Sequence, residues 1–128
     1  MNHLAGGFIA VGLGAVLGAW LRWALGAWLN PRFPPVPLGT LTANLVGGYL
    51  VGIAVAWISA PPEIYPAWRL FIITGFLGGL TTFSTFSAES VGMLLRGDYG
   101  WAALHTTWHL GGSILATALG IATYRAFA

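Results

Sequence analysis

Four long apolar runs divide this chain, and short clusters of proline and polar residues separate them. The first runs from about Leu4 to Leu29 and is stopped by Asn30, Pro31, Pro34, Pro35 and Pro37, which do not continue a helix. The second covers about Gly39 to Ser59, ahead of Pro61 and Pro62. The third covers about Ala67 to Leu95, and the fourth about Gly100 to Ala126. Each has the roughly 20 mostly apolar residues that a bilayer-crossing helix requires. The pattern predicts an all-α integral membrane protein: one four-helix transmembrane domain over residues 1–128, with short loops and antiparallel neighbours. Four crossings place both ends of the chain on the same side.

The third run breaks its own pattern. Within LGGLTTFSTFSAES, Leu77 to Ser90, seven of fourteen residues are Ser, Thr or Glu. One hydroxyl in a membrane helix usually bonds back to its own backbone. Five between Thr81 and Ser87, preceded by Gly75, Gly78 and Gly79, predict a helix broken in the membrane. Irregular backbone at that depth is tolerated only where it is buried in protein or lines a wet cavity. Freed carbonyls at a break suit a cation; plain helix packing is the competing reading. Phe83 and Phe86, three apart, share a face. They are either packing residues or a pair of electropositive ring edges beside an anion path.

Composition agrees with a membrane protein. Of 128 residues, 57% are hydrophobic and 6% charged, with a mean hydropathy of +0.79, against roughly 25% charged in soluble domains. The net charge of +2 is too small for a nucleic-acid footprint. Cysteine is absent, which excludes disulfides and thiolate metal sites. The N-terminal run has no preceding Lys or Arg and reads as a membrane helix, not a cleaved signal. Arg69 and Arg125 fall on one side, Arg32 and Arg96 on the other, with Arg22 near the end of the first helix. That balance leaves both a single orientation and insertion in both orientations open. Trp23, Trp28, Tyr99 and Trp101 mark one interface; Trp57, Tyr65, Trp68 and Tyr124 mark the other. Small residues four apart (Gly14 and Gly18, Gly48 and Gly52, Gly112, Ala116 and Gly120) permit close helix packing. So thin a bundle has little room for a pore, which predicts an oligomer, with a twofold dimer the simplest form.

Other polar residues fall at membrane depth. Asn44 offers two amide donors, and Thr40 and Thr42 precede it. Arg22 and Glu89 are the charges nearest mid-membrane: Arg22 suits an anion vestibule, and Glu89 either faces the same path or pairs with Arg22. From Trp68 to Leu80 the third span reads as an ordinary apolar helix. His105 and His109 are spaced as metal ligands, but the sequence offers no evident acidic or Cys partner, so interfacial polar packing fits them better than zinc. No GxSxG elbow, HExxH or paired-carboxylate site is present, so nothing argues for an enzyme.

GGLTTFSTF (Gly78 to Phe86), GAWLRW (Gly18 to Trp23) and TLTANLVGGYLVG (Thr40 to Gly52) resemble the Fluc, or CrcB-type, family of fluoride channels, in order and over nearly the whole chain. The resemblance implies a multi-pass protein of the bacterial inner membrane and an antiparallel, dual-topology homodimer with two pores. Each pore would carry cytoplasmic fluoride passively outward. It implies a central structural Na⁺ on the backbone carbonyls of Gly78 and Thr81. It implies pore roles for Asn44, Phe83, Phe86, Ser84, Thr85 and Ser113, and places Arg22 in a vestibule and Glu89 on a polar track. The rival is a small multidrug-resistance-type exporter, which needs an acid in its first helix; this chain has Arg22 there and no acid.

Overall fold

The computed structural model describes residues 3–59 and 66–128, and within them it is helical throughout, with no strand. Pro61, Pro62 and Tyr65 lie outside the described residues. Helix α1 spans His3–Leu29 and α2 spans Leu38–Ile58. Helix α3 covers 66–80, α4 is Phe83–Leu95, and α5 is Tyr99–Phe127. Three stretches are long and apolar enough to cross a membrane: His3–Arg32, Leu38–Ile58 and Pro66–Leu95. The chain is therefore a membrane protein.

Contacts run in register along two pairs of helices. Gly14 and Gly18 of α1 lie against Phe71, Phe76 and Leu80 of α3; Gly48 and Gly52 of α2 lie against Ser113, Thr117 and Gly120 of α5. In both pairs the numbers rise together, so α1 and α3 are parallel, as are α2 and α5. Each seam is glycine on backbone. A Cβ at Gly18 would collide with the Phe76 carbonyl, and one at Gly52 with the Thr117 carbonyl. The predicted small-residue stripes are thus spent within a single chain, where close backbone approach gains van der Waals contact. Tyr49 adds a hydrogen bond across the second seam, donating to Thr123 Oγ1 at 2.9 Å.

The segment from Trp68 to Leu80 is not an ordinary helix. Leu70–Leu77 is wound with the wider π-type turn, a form that occurs mainly as a local bulge. Gly75 and Gly79 do not merely loosen this segment. Gly75 abuts the Val11 carbonyl and Gly14, and Gly79 abuts Ala15, so both seat α3 on α1. The interruption comes after them. Thr81 (φ −88°, ψ 154°) and Thr82 (φ −150°, ψ 124°) are extended, and the helix resumes at Phe83.

Two caps fix the ends near the break. Pro37 begins α2 without a side-chain cap of its own. Asn30 supplies one from the preceding turn, its Oδ1 accepting from Gly39 N at 2.7 Å and Thr40 N at 3.2 Å. At the far end of α4, Gly97 adopts φ +81°. Asp98 N donates to Met93 O at 2.9 Å and Gly97 N to Leu94 O at 3.1 Å, a Schellman turn that folds α5 back along α4. Phe33 packs edge-on against Trp101, centroids 5.6 Å apart, tying the proline turn to the start of α5.

The seams predict a contrast between two glycines of one helix. Gly18→Ala is expected to lower the thermal stability of the detergent-solubilised protein by several degrees or prevent its recovery. Gly12, whose Cβ would meet nothing within 4 Å, is expected to accept Ala with no loss, since Ala is favoured over Gly in a helix by about 1 kcal/mol.

Candidate functional site

The break costs backbone hydrogen bonds, and Asn44 repairs them. In an unbroken helix Thr82 N–H would donate to Gly78 O; here it donates to Asn44 Oδ1 at 2.7 Å, while Asn44 Nδ2 donates to Thr82 O at 2.9 Å. The amide side chain of α2 thus pairs with the backbone of Thr82 as a neighbouring strand would. Its remaining N–H meets His109 Nδ1 at 2.9 Å. Thr82 also caps α4: its Oγ1 accepts from Thr85 N at 3.1 Å and lies 3.3 Å from Ser84 Oγ. Thr81 bonds back conventionally, Oγ1 to Leu77 O at 2.8 Å.

These substitutions leave particular carbonyls without their helical donors. Gly78 O has lost Thr82 N–H to Asn44, and Thr81 O has lost Thr85 N–H to Thr82 Oγ1. Of the two carbonyls between them, Gly79 O accepts from Arg22 Nε at 3.0 Å. Carbonyls at the end of α3 therefore present negative partial charge, and the first N–H groups of α4 present positive partial charge, across two extended residues.

Two grooves meet at Thr82. One, of about 330 Å³, is lined by Asn44, Thr82, Phe83, Phe86, His109 and Ser113 among others. The other, of about 280 Å³, is lined by Arg22, Asn30, Thr40, Thr82 and Thr85. Phe83 and Phe86 touch edge to face, centroids 5.4 Å apart, but differ in environment: Phe83 is 70% exposed and Phe86 only 6%. Phe86 stacks on His109 at 4.6 Å and His105 at 5.3 Å. Ser84 is exposed and Thr85 half-buried.

Glu89 is not paired with Arg22. Its Oε2 accepts from Thr40 Oγ1 at 2.7 Å, and its Oε1 faces His105 Nε2 at 3.5 Å. The acidic partner absent from the sequence reading of the two histidines is therefore Glu89, brought over by the turn at Gly97. His105 and His109 are buried, at 0% and 3% exposure, and belong to the same cluster as Phe86 and Asn44. Sequence reasoning named Thr40, His105 and His109 but gave them no part in the site, reading the histidines as interfacial polar packing. The histidine spacing was visible, but its partner sits 16 residues away across a tight turn.

Residues 9–121 match the family described as CrcB-like protein, Camphor Resistance (CrcB). The chain belongs to the CrcB-like family. It is 60% identical over 122 residues to a protein of Cupriavidus pinatubonensis named fluoride-specific ion channel FluC, covering 95% of this chain and 97% of that one. Proteins of the same name from Pseudomonas putida (58% over 116 residues, 91% of each chain) and Aromatoleum aromaticum (57% over 120 residues, 94% and 92%) are similar over nearly their whole lengths. The match takes in Asn44, the break and both phenylalanines, so the clamp lies inside the part that this chain shares with the CrcB-like family.

The clamp carries a stability prediction. Asn44→Leu removes both partners of Thr82 and is expected to cost about 2–4 kcal/mol, since each stranded backbone group costs about 1–3 kcal/mol. Thr82→Val, which keeps the backbone pairing and loses only the cap, is expected to cost about 1 kcal/mol. Thermal unfolding in detergent measures both.

Proposed function

We propose that this protein is a fluoride-selective channel and not an enzyme, and that two antiparallel copies form two pores. The observation that carries the reading is the pairing of Asn44 with the broken backbone at Thr82, which opens the N-terminus of α4 toward a groove that also holds hydroxyls and phenylalanine edges. Fluoride is small and strongly hydrated. It leaves water only for closely placed donors, and the first N–H groups of α4, Ser84, Thr85 and Ser113 are such donors. Phe83 and Phe86 add ring edges that attract an anion without holding a full charge against it. Arg22, beside the second groove and not in the narrow path, raises the local anion concentration. A cation in the path itself would trap the ion, and conduction requires release. Glu89 borders the same track. The names of the relatives support the choice of ion.

The dimer is supported by the groove around Ser113. Asn44, Thr82 and Thr117 line it beside the exposed Phe83 and Ile114. The groove is mostly apolar, with the hydroxyls of Thr82 and Ser113 set into it, and a second copy would cover both. In this reading α5, 29 residues long, is the fourth span, carried by α2, and its lower apolarity reflects its polar inward residues. The balanced arginines are compatible with insertion in both orientations, in the inner membrane of a bacterium.

Gly78 O and Thr81 O are the carbonyls whose helical donors are taken elsewhere, so the residues present fit a small hard cation. Two copies would hold Na⁺ between them, and the ion would supply fixed positive charge that joins the two breaks. The multidrug-exporter reading has no support, because α1 carries no acid.

Liposomes containing the protein are expected to release fluoride and retain chloride; equal rates for both ions, or no fluoride release, would overturn the proposal. Phe83→Ile and Asn44→Asp are expected to slow release about tenfold or more, the equivalent of losing roughly 1.4 kcal/mol at the narrowest point. A C-terminal tag is expected to be accessible in similar amounts from both sides of the membrane, and labelling from one side alone would refute insertion in both orientations.

A further inference from the structure

Four buried polar atoms on three residues between α4 and α5 have no hydrogen-bond partner: Glu89 Oε1, His105 Nδ1, His105 Nε2 and His109 Nε2, with Glu89 Oε1 and His105 Nε2 3.5 Å apart. One ligand atom from each of the three residues falls within 4.8 Å of the other two. Both histidines are more than nine-tenths buried. A single unpaired buried polar atom already calls for a physical explanation. Orphan atoms on two rings and a carboxylate that lie side by side call for a partner that accepts one lone pair from each of the three residues. Two His and one Glu are the donor set of zinc sites that keep an open fourth position. Imidazole also suits cobalt, nickel and copper, so the choice among them follows geometry and supply.

We propose that Glu89, His105 and His109 form a binding site for a divalent transition-metal ion of the zinc class. The other oxygen of Glu89 is held by Thr40 Oγ1 at 2.7 Å, which orients the carboxylate as outer partners of metal ligands do. Entry is available beneath the proline turn, where a groove of about 310 Å³ lined by Pro34, Pro35, Pro37, Glu89 and Arg96 reaches the carboxylate.

The site is coupled to the break through one proton. Thr82 fixes the orientation of the Asn44 amide, so Nδ2 is a donor where it meets His109 Nδ1. His109 therefore accepts at Nδ1 and carries its proton on Nε2. A metal can bind at Nε2 only once that proton has moved to Nδ1, which uses the lone pair that had accepted from Asn44 and frees a lone pair on Nε2. Two donors then oppose each other at 2.9 Å, and Asn44 is driven off Thr82. Filling the site thus loosens the clamp, and the ion acts as an inhibitor. This last step rests on the channel reading; the binding site does not.

Cobalt(II) titrated into the purified, tag-free protein reads the ligand set directly through the visible bands of a four-coordinate imidazole–carboxylate centre. Saturable binding of a single ion per chain, displaced by zinc, is expected. His3→Gln should retain it, while His105→Gln and Glu89→Gln should each weaken it about 100-fold or more. Absence of a saturable signal, or parental affinity in both His105→Gln and Glu89→Gln, overturns the site. Zinc is further expected to slow fluoride release from liposomes of the parent protein and not of His105→Gln. Cobalt binding with zinc-insensitive release overturns the coupling alone. Absence of release from metal-free parent protein overturns the channel reading, and the cobalt titration still decides the site.

Discussion

A chain that interrupts a helix inside a membrane must supply partners for every backbone group it frees. The Asn44 amide meets that demand at Thr82 by offering one acceptor and one donor in the arrangement that a peptide unit would offer. The direction of the amide toward His109 and the freedom of the Gly78 carbonyl follow from this one pairing, and the Thr82 cap on Thr85 frees the Thr81 carbonyl. Without the Asn44 amide, the Thr82 N–H would be left without its partner at membrane depth.

The rest of the chain holds Asn44 and Thr82 at bonding distance. Glycine seams draw α1 onto α3 and α2 onto α5. Asn30 anchors the start of α2, five residues before Asn44, and Arg22 takes the carbonyl that the clamp does not release to the groove. Polar atoms at depth are costly, and here nearly all act in pairs. Among the described residues, the buried side-chain atoms without a hydrogen bond are all on Glu89, His105 and His109.

Much of this was legible in the residues. Prolines 31 to 37 end α1, and the hydroxyl run announces a break, because a helix cannot easily hide five hydroxyls and two phenylalanines on one stretch. Glycine was harder to interpret. Gly75 and Gly79 read as weak helix formers, whereas their main work is packing on α1, which depends on a partner more than 50 residues away. The π-wound turns of 70–77 left no mark in composition. Arg22 and Glu89 looked like a possible ion pair because both are charges at depth; which neighbour each finds depends on rotations about α1 and α4 that spacing does not determine. The Glu89–His105 approach depends on a turn whose geometry is set by Gly97, and a one-residue change in its length would send the two side chains to different faces.

The seams also constrain how such a chain can change length. Each residue added to or removed from a straight helix turns everything beyond it by about 100°. Between Gly14 and Gly18, or between Gly48 and Gly52, that rotation would bring a leucine or valine onto a backbone carbonyl where only hydrogen fits. Insertions and deletions are therefore confined to the connections, so the four long runs keep their register while the loops between them are free to drift.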